Sequence, residues 1–371
     1  MDVSRCTTDV FIIGGGPAGL AVSIAARQKG FQVIVADGIA PPIQKPCGEG
    51  MLPETLAALR GLGVEIDPAD GARLRGICFM QKDARVWSDF PGDLGVGLRR
   101  TVLHERLVAR AQETGVQLLW RTPISGIDGN SVRLTHGKVH AHWIVGADGQ
   151  GSRVRHWSGI ETKTVKQRHA IRRHYRVKPW SSYVEVHWGT RAQAYVTPVG
   201  GEEVCIVTLS ATPEDASFDK ALCEFPDLRE NLSGAQLNSP ERGAVTCMRT
   251  LCNVQRRNLA LVGDASGGVD AITGDGIRLA LRQASALVDA MAAGDLEQYE
   301  QEHHRLAKGA TRMGNLMLWR DRNPRLRRRV IRAWESKPDL LSRMLAMHMG
   351  HGTPEDLFST GARLGWRLLT T

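Results

Sequence analysis

The 371-residue chain has no run of about 20 apolar residues, so no segment reads as a membrane-spanning helix. Its first residues, Met1-Asp2-Val3-Ser4-Arg5, lead into a strand pattern instead of a charged and then apolar leader. A cytoplasmic location is therefore expected. The seven cysteines (6, 47, 78, 205, 223, 247 and 252) are odd in number and lack CxxC spacing. That distribution argues against both a disulfide framework and a zinc site, and no metal is expected. Internal repeats, low-complexity tracts and flexible linkers are also missing, which points to lobes interleaved in sequence.

What is present is a hydrophobic content of 42% in a chain longer than one ordinary domain, hence two or more lobes with ample core. The formal net charge is +9, and residues 301–371 hold 14 Lys and Arg against 6 Asp and Glu, a net +8. The excess belongs to a basic helical C-terminal region. Its densest stretch, with Arg325, Arg327, Arg328 and Arg329, follows the helical apolar spacing of Leu316, Trp319, Leu326, Val330 and Trp334. Such a face is either simply solvated or meets an acidic protein partner or an anionic membrane surface, which would make the protein peripheral to the membrane. No nucleic acid is expected as a partner.

Residues Asp9 to Ile13 read as an apolar strand, Leu20 to Lys29 as a helix ended by Gly30, and Phe31 to Ala36 as a second strand. This order implies a parallel pair with a right-handed crossover. A helix from Leu103 to Glu113, a small meander with turns at Asp128-Gly129-Asn130 and His136-Gly137, and a strand from Val139 to Ala147 follow. Between about 165 and 210 the pattern changes to four short β-rich segments, an antiparallel sheet. Asn258 to Val262 returns as a buried strand and Gly276 to Ala293 as a long helix. The expected fold is α/β: a Rossmann-like dinucleotide domain (1–75, 98–160 and 248–300), interleaved with an antiparallel-sheet substrate domain (76–97 and 161–247), and C-terminal helices (301–371).

Three motifs carry chemistry. Gly14-Gly15-Gly16-Pro17-Ala18-Gly19 fits GxGxxG between a strand and a helix, where the glycines permit a tight turn and a close backbone approach to a pyrophosphate whose charge the helix N-terminus stabilises. Asp37 ends the second strand about 20 residues on, where a carboxylate accepts ribose hydroxyls. Asp148-Gly149-Gln150-Gly151-Ser152-Arg153-Val154-Arg155 follows the strand Trp143 to Ala147, and alone it reads as a turn. Gly263-Asp264-Ala265 ends a buried strand and is followed by Gly274-Asp275-Gly276-Ile277 opening a helix. There Asp264 can accept from a ribityl hydroxyl, and the Gly274 to Ile277 amides suit the negative charge of a reduced flavin.

In this order the motifs resemble the para-hydroxybenzoate-hydroxylase-type FAD oxidoreductases, a superfamily of aromatic hydroxylases, geranylgeranyl reductases and flavin-dependent halogenases. Lys45-Pro46-Cys47-Gly48-Glu49-Gly50-Met51-Leu52-Pro53 and the GDGI ending resemble the geranylgeranyl-reductase-like branch, over about residues 8–300. The resemblance implies FAD as cofactor. Gly14, Gly16 and Gly19, with Pro17 and Ala18, would cradle the pyrophosphate and Asp37 the adenosine ribose. Arg100 would contact FAD, Asp148 and Gly149 would serve FAD and NAD(P)H, and Gly263 and Asp264 would hold the ribityl chain. Ala271 stands where many hydroxylases have a proline beside the flavin ring.

The catalytic candidates are Cys47 and Glu49 in the loop the family folds near the isoalloxazine, and Glu185 and His187, which alternate onto one face of a strand. With Arg172, Arg173 and His174, these last two lie on strands the family places above the flavin. A Glu–His pair could deprotonate a phenol or indole; the other reading is a salt-bridged outer face. Without a second GxGxxG, NAD(P)H is expected only as a transient reductant. The first expectation is an NAD(P)H-dependent monooxygenase that hydroxylates an electron-rich aromatic or natural-product-type small molecule through a C4a-hydroperoxyflavin. The alternatives are reduction of prenyl double bonds, and a flavoprotein that modifies or docks a partner protein. Halogenation is not expected: Lys45 is a candidate lysine, but the WxWxIP motif is missing.

Overall fold

The computed structural model describes residues 6–82, 84–160, 162–269, 274–321 and 323–351. Ala271 and the end of the basic region, 352–371, lie outside the described residues. Strand β1 (Cys6–Ile13), helix α1 (Pro17–Gln28) and strand β2 (Val33–Ala36) form the parallel unit expected from the sequence, with Val10 opposite Val33 and Ile13 opposite Ala36. The helix begins at Pro17, not at Leu20, because a first-turn proline has a suitable fixed φ and its missing N–H would find no intrahelical acceptor there. β1 is flanked on its other side by Gly137–Gly146, itself parallel to Leu259–Leu261, while Gln117–Leu119 pairs with β2. The chain thus returns to one sheet from three distant stretches. Its core, which includes Phe11, Ile12, Leu20 and Ile24, is closed to water, and α1 packs on the long helix Gly276–Ala293.

The second sheet runs Gln236–Leu237, Thr162–Arg176, Glu203–Ser210, Ala192–Gly200, Tyr183–Trp188, Gly76–Gln81 and Ala84–Asp89, with Arg242–Leu251 also paired to Thr162–Arg176. The last of these was not legible as a strand, since few of its residues are buried and its apolar alternation is weak. Strand periodicity sorts the side chains. Phe79, Val186, Tyr195, Val207, Arg172 and His174 share one face by register, whereas Glu185, Val196, Ile206 and Arg173 share the other. That other face is covered by Phe218, Phe225 and Leu228 from two short helices, Phe218–Leu222 and Pro226–Asn231.

The helical end is broken into Leu296–Asp321, Pro324–Ser336 and Pro338–Met349, each of the last two opening on a proline, which cannot continue a preceding helix. Pro324–Ser336 lays Val330, Ile331 and Trp334 against the second sheet and turns Arg325, Arg328, Arg329 and Arg332 to solvent. Arg327 is buried, so the cationic face is narrower than its sequence suggested. No helix among the described residues is long and apolar enough to cross a membrane.

Candidate functional site

One cavity of about 660 Å³ opens between the two sheets, and all three motifs border it. At its nucleotide end, the turn after β1 is fixed by close approach: a Cβ on Gly19 would stand 1.9 Å from the Gly14 carbonyl oxygen. Gly16, by contrast, has open space where a Cβ would stand and borders the cavity at the start of α1. That is the cradle a pyrophosphate needs. His104, fully buried, places its Nε2 2.8 Å from the Gly15 carbonyl oxygen, and burial holds its imidazole below the usual pKa, so the ring braces the turn as a neutral group. Nothing in the sequence marked His104 beyond its place on an amphipathic helix.

Asp37 lies at the end of β2 as expected, and its carboxylate accepts from the amides of Gly15 (2.7 Å) and Ile39 (2.8 Å). It borders the cavity while tying the glycine turn to the loop that follows. Asp148 also borders the cavity, beside Gly149, but its oxygens accept from Ser152 Oγ (2.6 Å) and from the amides of Arg153 (2.7 Å) and Val154 (3.1 Å). It therefore caps the helix Arg153–Ser158. Arg155, the last residue of that motif, donates to the carbonyls of Ala265 (2.9 Å) and Gln150 (2.9 Å). The middle motif thus anchors the third one, a role the spacing did not reveal.

The third motif supplies Gly263 and Asp264 to the cavity wall. Asp264 is ion-paired with Lys45, which closes the loop 38–49 against this side of the cavity. Gly274, Gly276 and Ile277 border the cavity at the N-terminus of Gly276–Ala293, with open space at both glycines. Next to them, Asp275 is completely buried between Arg278 (2.7 Å) and His348 (3.0 Å). Burial alone would raise its pKa, but the His348 hydrogen bond and the charges of His348 and Arg278 bring the carboxyl below the ordinary carboxylate value.

Cys47 and Glu49 border the cavity just ahead of the short strand Gly50–Met51. Burial pushes the Cys47 thiol up, which keeps it protonated near neutrality. Glu49 is only 3% exposed and holds a left-handed φ of 59°, a conformation uncommon for a side chain of its size. Four groups hold it there: the Arg100 amide (3.0 Å) and Arg172 (3.5 Å) on Oε1, His174 Nε2 (2.7 Å) on Oε2, and the Leu98 amide on its carbonyl. Burial would raise the Glu49 carboxyl, yet His174, the Arg100 amide and Arg172 together set it below its ordinary value. Arg100 itself borders the cavity and carries a buried Nε with no hydrogen-bond partner. An unsatisfied guanidinium nitrogen, glycines with open space beside them and two helix N-termini on the cavity wall all suit an anionic dinucleotide, and FAD fits these residues.

Glu185 and His187 are a correction to the expected catalytic set. They are bonded to each other (3.1 Å), but on the face turned away from the cavity, where Trp180 Nε1 donates to Glu185 (3.2 Å) and the His187 ring meets Phe225 edge-on. Val184 and Val186 of the same strand border the cavity instead, so the period-2 ambiguity resolves against the pair. Arg173 shares that outer face and pairs with Asp219 and Glu241, whereas Arg172 and His174 face inward.

Beyond Glu49 the cavity becomes apolar. Phe79, Val186, Val207 and Leu209 line it from the sheet, and Trp334 with Leu341, Met344 and Leu345 line it from the two proline-led helices. The sequence marked Trp334 as part of an apolar helical stripe, but nothing in that spacing placed the stripe against a cavity.

A family model described as "FAD binding domain" matches residues 7–313. Among curated proteins, the chain is 27% identical over 317 residues to a menaquinone reductase of Mycobacterium tuberculosis, covering 78% of each chain. It is 29% identical over 331 residues to a digeranylgeranylglycerophospholipid reductase of Methanosarcina mazei, covering 79% of this chain and 78% of that one. Among solved structures, a geranylgeranyl bacteriochlorophyll reductase-like protein of Thermoplasma acidophilum superposes with a TM-score of 0.76 at 19% identity, covering 97% of this chain and all of the other.

Proposed function

The chain belongs to the FAD binding domain family and is an FAD-dependent oxidoreductase, and from that premise we propose that it saturates isolated carbon–carbon double bonds in the polyprenyl chain of a lipid. The observation that carries this reading is the apolar end of the cavity, walled by Phe79, Val186, Val207, Leu209, Trp334 and Leu341. Aliphatic and aromatic walls of this kind favour a hydrocarbon chain through burial of its surface and offer little to orient a polar ring. The relatives support the same substrate class, since menaquinone and digeranylgeranylglycerophospholipid are both isoprenoid lipids. In the second of these, the prenyl double bonds are the groups open to reduction.

When bound, FAD supplies the hydride in its reduced form, with a nicotinamide as transient reductant. The chain's residues do the rest. The Gly16 amide and the start of α1 would hold the pyrophosphate, Arg100 would add a positive charge, and the Gly274 to Ile277 amides would stabilise the negative charge of the reduced flavin. The Cys47 thiol, protonated and on the cavity wall, is a residue of the loop with a proton to give to a carbon. The proline-led helices exclude water from the hydrocarbon. The outward arginines of Pro324–Ser336 would rest on an anionic membrane surface, which would bring the helices that wall the cavity next to the lipid. Aromatic hydroxylation is the weaker reading because the expected proton acceptors, Glu185 and His187, face away from the cavity.

The test is anaerobic turnover with NAD(P)H and a polyprenyl lipid, read by product mass. A gain of two hydrogens per double bond is the expected result. Lipid-dependent oxygen consumption with an oxygenated product would replace reduction by hydroxylation.

A further inference from the structure

Resting on the reductive reading, we propose that Ser239, His174 and Glu49 form a proton relay from solvent to the cavity. Saturating one double bond forms two C–H bonds: one carbon takes a hydride, whose electron pair comes from a reduced nicotinamide, and the other takes a proton from water. With a lipid filling the apolar end, the proton needs a route that does not pass through the hydrocarbon. The structure holds one. Ser239 is half-buried between exposed Asn238 and Pro240. Its Oγ lies 2.7 Å from His174 Nδ1, and His174 Nε2 lies 2.7 Å from Glu49 Oε2 at the cavity wall. His174 is completely buried, so two hydrogen bonds connect the half-buried Ser239 with the cavity wall at Glu49.

Each member suits the task. A hydroxyl both accepts and donates, and an imidazole can take a proton on one nitrogen while releasing one from the other. A water-derived proton would displace the Ser239 hydroxyl proton onto His174 Nδ1, the Nε2 proton would pass to Glu49 Oε2, and Glu49 would release it into the cavity beside Cys47. Ser239 and Glu49 then regain their starting proton count, while His174 is left with its proton on Nδ1 and must return to the Nε2–H tautomer before it passes the next proton. The charged and titratable groups around this path are Arg172 on the same strand, Cys205 opposite His174, Arg100 at the adjoining helix start and Cys47 in the loop. The other acidic groups bordering the cavity have different partners: Asp37 and Asp148 bind backbone amides, and Asp264 binds Lys45.

The experiment uses the FAD-loaded protein with phytanol, a saturated isoprenoid alcohol that fills the apolar end and cannot be reduced. The bound flavin is reduced photochemically in weak buffer, and proton uptake is followed with a pH-indicator dye. In Ser239→Ala and His174→Gln, uptake is expected to slow on the order of tenfold or more while flavin content is retained. Unchanged uptake in both variants would overturn the relay. Should His174→Gln lose its flavin, the surface variant Ser239→Ala decides alone. The arms separate the two proposals. Relay-dependent uptake in a protein that saturates no prenyl lipid sinks the substrate reading only, and lipid saturation with relay-independent uptake sinks the relay only.

Discussion

Trp334→Ala tests whether the proline-led helices are part of the cavity or an appendage to it. The indole is 1% exposed and stacks near Phe79 (5.3 Å between centroids) and Trp188 (6.3 Å) on the inner face of the second sheet. Removing a buried aromatic side chain costs about 3–5 kcal/mol, and because this one already borders a void on one side, the lower end, ~3 kcal/mol, is expected. At roughly 1.3 °C per kcal/mol for a chain of this size, the melting temperature should fall by ~4 °C. Differential scanning calorimetry of the FAD-loaded protein reads the shift, and absorbance gives the flavin content. Flavin should remain stoichiometric, since Trp334 lies beyond Glu49 from the glycine cradle, while affinity for a polyprenyl lipid should drop at least tenfold. A variant with an unchanged melting temperature and unchanged lipid affinity would refute the packing argument.

Gly16→Val or Asp264→Ala should yield protein purified without yellow colour, one by filling the pyrophosphate cradle and the other by removing an acceptor at the opposite wall; full flavin absorbance in both would count against the cofactor geometry. His303, 6% exposed and bonded to Ser266 (2.9 Å), is pushed by burial from 6.5 down to about 4. The unfolded chain then binds the extra proton first, so stability should be fully present above about pH 6.5 and decline by up to ~3 kcal/mol as pH falls toward 4. His303→Gln should flatten that decline in urea titrations, and an undiminished slope would show that other groups cause it. Arg325, Arg328 and Arg329 changed together to Ala should abolish salt-sensitive binding to anionic vesicles, as read by cosedimentation; Arg327 is left in place because it is buried.

The nucleotide half of the molecule was legible in the sequence because its constraints are local. A glycine turn between strand and helix, a carboxylate at the end of β2 and an Asp at the end of a buried strand announce themselves by spacing. The apolar half was not, because it is assembled from residues such as Phe79, Val186 and Trp334 that look like ordinary core until a cavity is seen between them. Alternation grouped Glu185 with His187 correctly but could not say which face looked inward, and the aromatic cover from Phe218 and Phe225 decided it. Glu49 was singled out in the loop, yet its partner His174 lies 125 residues away, a pairing that only the fold creates.

The most direct test of the account is to reduce the FAD-loaded protein under anaerobic conditions and mix it rapidly with a polyprenyl lipid or its saturated counterpart. Reoxidation of the flavin by the unsaturated lipid alone, with a matching gain of hydrogen in the chain, is the expected result. A flavin that stays reduced with both lipids and reoxidises only when oxygen is admitted would contradict it.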